Sequence, residues 1–314
     1  MAETIRIGTR GSALALWQAH YVAGLLQSGG LATEIVTIET KGDQILDRSL
    51  AKIGSKGIFT AELEDALHSG RVDIAVHSAK DLQSELPPDL RLIAFTEREI
   101  ASDVLVSLHP GISLTDGQPW RIGTSSTRRV AMLRHFYPHL VPTDMRGNLQ
   151  TRMRKLHENH CDAMILAYAG VHRMNYDAHI AAHLPTETFT PAVGQGSVAV
   201  EASVKLAADK SAKIRALVNH VPTETCLRAE RAFLRELEGG CSIPVFGLAG
   251  LDVLEDTISL HAGIVSLDGT QLIHRTLTGN PSEPETLGIR MAGEILVAGG
   301  AQILRDIKGA LPDS

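Results

Sequence analysis

Ile5-Arg6-Ile7-Gly8-Thr9-Arg10-Gly11-Ser12 decides the fold. Ile5–Gly8 predicts a short strand, and Ser12 is a good helix N-cap. Leu14, Trp17, Tyr21 and Leu25 follow at helical spacing, until Gly29-Gly30 ends the run. Glu34-Ile35-Val36-Thr37-Ile38 then alternates as a second strand. A strand–helix–strand opening calls for a right-handed crossover and a parallel or mixed sheet. The chain therefore reads as α/β.

Working outward, a helix is expected over Phe59–His68 and a buried-type strand over Arg71–His77. That strand ends at Ser78-Ala79-Lys80-Asp81. Ligands of open α/β sheets sit beyond the carboxyl ends of strands, so Lys80 and Asp81 stand where chemistry is expected; the plainer reading of Asp81 is a turn or cap. Leu90–Phe95 is another strand, and near Arg98–Leu105 the pattern restarts. Arg121–Thr124 is a strand, and Ser125-Ser126-Thr127-Arg128-Arg129 opens a helix with small hydroxyls and two arginines, a good anion site. Asp144-Met145-Arg146-Gly147-Asn148 leads into a helix carrying Arg152, Arg154 and Lys155. A strand over Asp162–Leu166 precedes a short helix with Arg173. Pro191–Gly196 is a connector, and a strand over Ser197–Glu201 returns to the first domain. After a helix over Pro222–Glu238, Gly239-Gly240-Cys241-Ser242-Ile243-Pro244 holds a thiol on a short turn. Taken alone, that stretch reads as a helix C-cap before a small buried cysteine. Three strands between Phe246 and Leu277, with Asp268-Gly269 as a hairpin turn, and two closing helices complete an α+β unit with an antiparallel sheet. The expected domains are 1–98 plus 196–216, 99–195, and 217–314.

Between the second strand and Phe59, Lys41–Gly57 is a glycine- and lysine-bearing stretch without periodicity. It reads as a solvated loop or a functional lid, and it lacks the spacing of a Walker A loop.

A chain of 314 residues exceeds the usual size of one core. With 44% hydrophobic and 21% charged residues it is of globular type. A net charge of −6 and 4% aromatics argue against a nucleic-acid surface. The sequence suggests no membrane-spanning run and no signal peptide, and its three cysteines imply no disulfide framework, so a reduced, cytoplasmic compartment is expected. His157-x-x-His160-Cys161 lacks further ligands at metal-site spacing, so no metal is expected. Arg10, Arg128, Arg129, Arg146, Arg152 and Arg173 all fall at element ends. In an acidic protein that distribution points to a pocket for a polyanion, either carboxylate or phosphate.

Seven segments in order resemble the porphobilinogen deaminase family. They are Thr9-Arg10-x-Ser12-x-Leu14-Ala15, Ala51-Lys52-x-Gly54-x-Lys56-Gly57, Asp73-Ile74-Ala75-Val76-His77-Ser78-x-Lys80-Asp81, Gly123-Thr124-Ser125-Ser126-x-Arg128-Arg129, Arg146-Gly147-Asn148 with Thr151-Arg152, Pro191-Ala192-x-Gly194-Gln195-Gly196, and Glu238-Gly239-Gly240-Cys241. The resemblance covers essentially the whole chain. It implies three domains, the first two like the halves of a type II periplasmic binding protein with the active site in the cleft between them, and the third α+β. It implies a dipyrromethane cofactor joined to Cys241 by a thioether, and head-to-tail condensation of four porphobilinogen units with loss of ammonia. Hydrolysis then releases hydroxymethylbilane. By the same resemblance Lys80, Asp81, Ser126, Arg128, Arg129, Arg146, Gly147 and Lys56 bind the cofactor. Arg10, Ser12, Arg146, Arg152, Arg173 and Gln195 bind substrate carboxylates, and Asp81 is the catalytic group. Lys52 and Lys56 belong to a lid over residues 41–57, and the enzyme is expected to be a monomer, without nucleic-acid or membrane partners.

Two departures from the family pattern stand out. Gln83 occupies a position where the family has proline, and Ile100-Ala101-Ser102-Asp103 replaces Asp-Pro-Arg-Asp. A non-catalytic two-domain anion-binding protein would also explain the arginines, but it leaves Asp81 and Cys241 without a role. A thiol-dependent transferase using Cys241 as a nucleophile in each cycle is the other alternative.

Overall fold

A computed structural model describes residues 4–40, 60–239 and 243–310. The described residues divide into two compact units: the first gathers 4–40, 60–99 and Ser197–Thr225, and the second holds Ile100–Gly196 with 226–239 and 243–310.

In the first unit, β1 (Ile5–Arg10), α1 (Ala13–Ser28) and β2 (Thr33–Ile38) form the expected opening, with β1 and β2 parallel. Then come α2 (Ala61–His68), β3 (Ile74–Ser78) and β4 (Leu90–Phe95). The later strand β10 (Val198–Ser203) inserts antiparallel between β3 and β4, giving the order β2-β1-β3-β10-β4. Strands β1 and β3 are parallel neighbours, so their carboxyl ends share one edge. Ile7, Val22, Leu26, Ile74, Val76 and Val198 pack in the core, where α6 (Ala208–Val218) adds Ile214 and Val218. The sequence did not announce α6. Its first turn has no side-chain cap, and Lys210 and Ser211 are buried beside its two apolar anchors, which blurs the helical period.

The second unit contains two sheets. The first has β5 (Asp103–Ser107), β6 (Arg121–Gly123), β7 (Val141–Thr143), β8 (Ala163–Ala167) and β9 (Ile180–His183), in the order β7-β6-β8-β5-β9. Strand β6 is parallel to β7 and β8, so three carboxyl ends again share an edge. They feed α3 (Thr127–Phe136), α4 (Leu149–His157) and α5 (Tyr168–Arg173). The other sheet is an antiparallel meander of β11 (Val245–Asp252), β12 (Thr257–Val265) and β13 (Leu272–Gly279). Three helices accompany it: α7 (Val221–Glu236), α8 (Pro284–Ile295) and α9 (Ala301–Ala310). Their shared core includes Phe233, Ile258, Leu260, Met291, Ile295 and Ile303. Phe246 and Val265 also pack with Leu105, Ile122 and Phe189, which joins the two sheets into one unit.

The run Pro284–Ala310 has the length and apolar composition of a membrane span, which the sequence reading did not anticipate. Gly299, at φ 116°, interrupts it between α8 and α9, and Leu287, Met291, Ile295, Ile303 and Ile307 belong to the core.

Gly288 sets how closely α8 approaches α7. A Cβ there would lie 2.2 Å from the Ala229 carbonyl oxygen and 2.8 Å from the Phe233 nitrogen, both backbone atoms. Alanine gains about 1 kcal/mol of helix propensity over glycine. Forcing the helices apart costs about 1–3 kcal/mol, and the backbone contacts place this site at the upper end. Gly288→Ala is therefore expected to lower the urea midpoint; an unchanged or raised midpoint contradicts the close packing.

Candidate active site

Both edges named above carry the residues singled out by sequence. In the first unit, Arg10 ends β1 and Ser12 caps α1, its Oγ accepting from the Ala15 N–H at 3.3 Å. Thr9 Oγ1 donates to the Ala15 carbonyl at 3.1 Å, and Gln18 Nε2 donates to Ser78 Oγ at 2.8 Å. These bonds tie the start of α1 to the ends of β1 and β3. Residues Ala79–Asp81 form a single 3₁₀ turn directly after β3, and the Ala79 N–H donates to the Ser197 carbonyl at 3.0 Å. Lys80 is half-buried and Asp81 exposed. Among the described residues, the Asp81 carboxylate has no hydrogen-bond partner.

In the second unit, Ser126 caps α3, its Oγ accepting from the Arg129 N–H. Arg128 and Arg129 are almost entirely buried, at 4% and 6% exposed. Arg128 Nη2 and Arg129 Nη2 each donate to one oxygen of Asp103, both at 2.7 Å, and Asp103 is fully buried. Arg128 Nη1 also donates to the Thr190 carbonyl at 2.8 Å, and Arg129 Nη1 to the Ile165 carbonyl at 3.0 Å. The Arg128 guanidinium lies 5.9 Å from the Phe189 ring centroid, a cation–π contact. Gln195, 1% exposed, gives its two amide N–H bonds to the Ala101 carbonyl at 2.6 Å and to Asp103 Oδ1 at 2.9 Å.

A second group surrounds the start of α4. Arg146 Nε donates to Asp144 Oδ2 at 3.1 Å, and Arg152 Nε to the Gly147 carbonyl at 2.9 Å. Gly147 has φ 109°, and a Cβ there would be 2.7 Å from the Thr151 side chain, so glycine is required. Arg173 Nη2, at the end of α5, donates to the Gly196 carbonyl at 2.7 Å. Arg146, Arg152 and Arg173 are half-buried. Lys52, Lys56, the rest of the 41–57 lid and Cys241 lie outside the described residues. Among the described residues no cluster of His, Cys, Asp and Glu could hold a metal.

Sequence reasoning missed Asp103 and Glu230. The first opens the apolar run of β5, and an acid heading a buried strand was its only signal. The second is fully buried within α7, which reads as an ordinary charged helix.

The electrostatics follow from burial. Desolvation by itself would push the Asp103 carboxyl up, but the Arg128 and Arg129 guanidiniums hold it well below the ordinary carboxylate range. Burial lowers Arg128 from its ordinary value, the Asp103 charge opposes that, and the Arg129 charge adds to it. Removing the acid from a buried pair of this kind costs about 3–5 kcal/mol. Because the folded-state pKa of Asp103 lies below the unfolded one, its stabilisation is complete above the unfolded value, near 4. It is lost as pH falls through the folded value. Asp103→Asn should therefore lower thermal stability throughout pH 5–8 and flatten the acid side of the stability curve. An unchanged melting profile would contradict the assignment.

Residues 5–211 match the family model described as porphobilinogen deaminase, dipyromethane cofactor binding domain, and residues 224–297 match the porphobilinogen deaminase C-terminal domain. A porphobilinogen deaminase of Cytophaga hutchinsonii is 55% identical over 315 residues, covering 100% of both chains. One of Desulfosudis oleivorans is 52% identical over 305 residues, covering 97% of this chain and 98% of its own. Among solved structures, the periplasmic aliphatic sulphonate binding protein SsuA of Escherichia coli is 14% identical with a TM-score of 0.41, covering 75% of this chain and 70% of its own. With both family models matched in order and identity above half along its full length, the chain belongs to the porphobilinogen deaminase family.

Proposed function

We propose that the chain is a transferase that joins four porphobilinogen molecules head to tail, losing ammonia at each join, and releases hydroxymethylbilane by hydrolysis. A dipyrromethane bound as a thioether of Cys241 supplies, when present, the primer for that growth. The observation that carries this reading is the buried charge count around Asp103. Two guanidinium ions share one carboxylate, and the Nε of each arginine is buried without an acceptor among the described residues. A cluster of net positive charge with unspent donors suits a polycarboxylate, and pyrroles bearing acetate and propionate groups are polycarboxylates. The residues present therefore fit the cofactor.

Lys80, Ser126, Arg128, Arg129, Arg146, Gly147 and Lys56 hold the primer in this reading. Arg10, Ser12, Arg146, Arg152 and Arg173 bind carboxylates of incoming substrate. Gln195 contributes through Asp103, since its amide donors are already spent on protein acceptors. Asp81 does the chemistry. Loss of ammonia from porphobilinogen leaves a cationic methylene conjugated with the ring, and a fixed carboxylate stabilises that charge as it develops. The same oxygens accept pyrrole N–H hydrogen bonds and take up the proton released when the new carbon–carbon bond forms. The exposure of Asp81 on the short turn after β3 supports this role.

Intact mass tests the primer. Wild-type protein made in cells with porphobilinogen should exceed its sequence mass by one dipyrromethane and give the pyrrole colour reaction with dimethylaminobenzaldehyde. Cys241→Ser protein should show neither. An unmodified, colourless wild-type chain would favour a non-catalytic anion-binding protein. For the chemistry, Asp81→Ala should fold normally, keep the extra mass, and lose at least about a hundredfold in turnover. A folded Asp81→Ala enzyme of normal rate would remove Asp81 from the mechanism.

A further inference from the structure

The segment Thr190–Gly196 gathers contacts from three of the arginines described above or from their partners. Arg128 Nη1 donates to the Thr190 carbonyl, Gln195 donates to Asp103, and Arg173 donates to the Gly196 carbonyl. The segment lacks regular structure, and Gly194 and Gly196 flank Gln195 with φ 77° and 96°. A conformation of this kind is easily lost unless something outside the segment fixes it. Glu230 supplies that fixation. It is fully buried on α7, its Oε2 accepts the Gly194 N–H at 2.8 Å, and its Oε1 accepts the Ala249 N–H of β11 at 2.8 Å. The Gly247 N–H of the same strand donates to the Pro191 carbonyl at 3.1 Å.

We infer that Glu230 is a positioning residue for the arginines: a buried carboxylate that clamps Pro191–Gly196 to α7 and β11 and, through Gln195 and Asp103, fixes where Arg128 and Arg129 stand. The inference deepens the proposed function and rests on it for the identity of the ligand. Two backbone donors converge on two oxygens of one side chain. Glutamine keeps the shape but offers one oxygen, so its NH₂ group must face either the Gly194 or the Ala249 N–H, donor against donor. No other substitution removes the acceptor with so little change of volume.

The test is Glu230→Gln in the full-length enzyme carrying its cofactor. Hydrogen exchange of the peptide spanning Gly194 should quicken about tenfold, as expected for one lost charged hydrogen bond. The KM for porphobilinogen should rise about tenfold, with kcat changed far less, because ground-state positioning of carboxylates is what loosens. A merely destabilised protein behaves differently, losing apparent kcat at constant KM as the folded fraction drops. Unchanged exchange, or faster exchange with unchanged KM, overturns the inference. If Glu230→Gln does not fold, Gln195→Met cuts the same chain of contacts one step later. That variant should raise KM while exchange at Gly194 stays slow; an unchanged KM overturns the inference. If wild-type protein does not consume porphobilinogen at all, the proposed function falls by itself. The clamp is then judged by exchange together with affinity for succinate, which must weaken in Glu230→Gln.

Discussion

The arrangement of the second unit depends on one buried carboxylate shared by two arginines. Asp103, Arg128 and Arg129 come from β5 and from the first turn of α3, and all three are removed from water. Such a cluster is expensive to assemble, because each ion loses its hydration. It persists because the side-chain pairings are short, because backbone carbonyls of Thr190 and Ile165 take further donors, and because Gln195 adds a bond to the acid. Within this trio two guanidinium ions stand against one carboxylate. The acid that holds the arginines in place also offsets part of their positive charge.

A connector without regular structure is tied into the same network. Thr190–Gly196 has no side chain that could do chemistry, yet it accepts from Arg128 and Arg173 and donates through Gln195. The loop is itself bonded to α7 and β11, through Glu230 and the Gly247 N–H. Phe189, which directly precedes the loop, is buried with Phe246 and Val265 in the core that joins the two sheets of the same unit.

Much of this architecture was legible because strand ends and helix caps are local signals. Ser12 and Ser126 accept from backbone N–H groups as their sequence context predicts, and Lys80 and Asp81 follow β3 directly. Asn148 caps α4 in the same way. The partners of the arginines were not legible, because pairing across a fold leaves no periodic trace. Asp103 lies 25 residues from Arg128 and Glu230 lies 36 from Gly194. The short strands β7 and β9 were missed for a related reason: three or four residues at a sheet edge carry too little alternation to be read. Arginine position was readable from sequence, but whether each arginine is buried or half-buried was not.

The two departures from the family pattern show how a local device can be exchanged for another. A proline after the Lys80-Asp81 turn would stiffen the chain by fixing φ. Gln83 stiffens it by reaching sideways instead, donating to Thr60 Oγ1 and Glu64 Oε1, both at 3.3 Å, which ties the exit of the turn to the start of α2. A ring constrains the unfolded chain as well as the folded one, whereas a hydrogen-bonded side chain constrains only the fold. The exchange therefore leaves the turn held while making that hold dependent on α2 being in place. At Ser102 the trade runs the other way. Where the family pattern has arginine, this chain has a small hydroxyl whose Oγ is buried without a partner among the described residues, and its carbonyl accepts the Tyr168 N–H at 3.0 Å. Ser102 thus keeps a backbone bond to the start of α5 and brings no charge of its own.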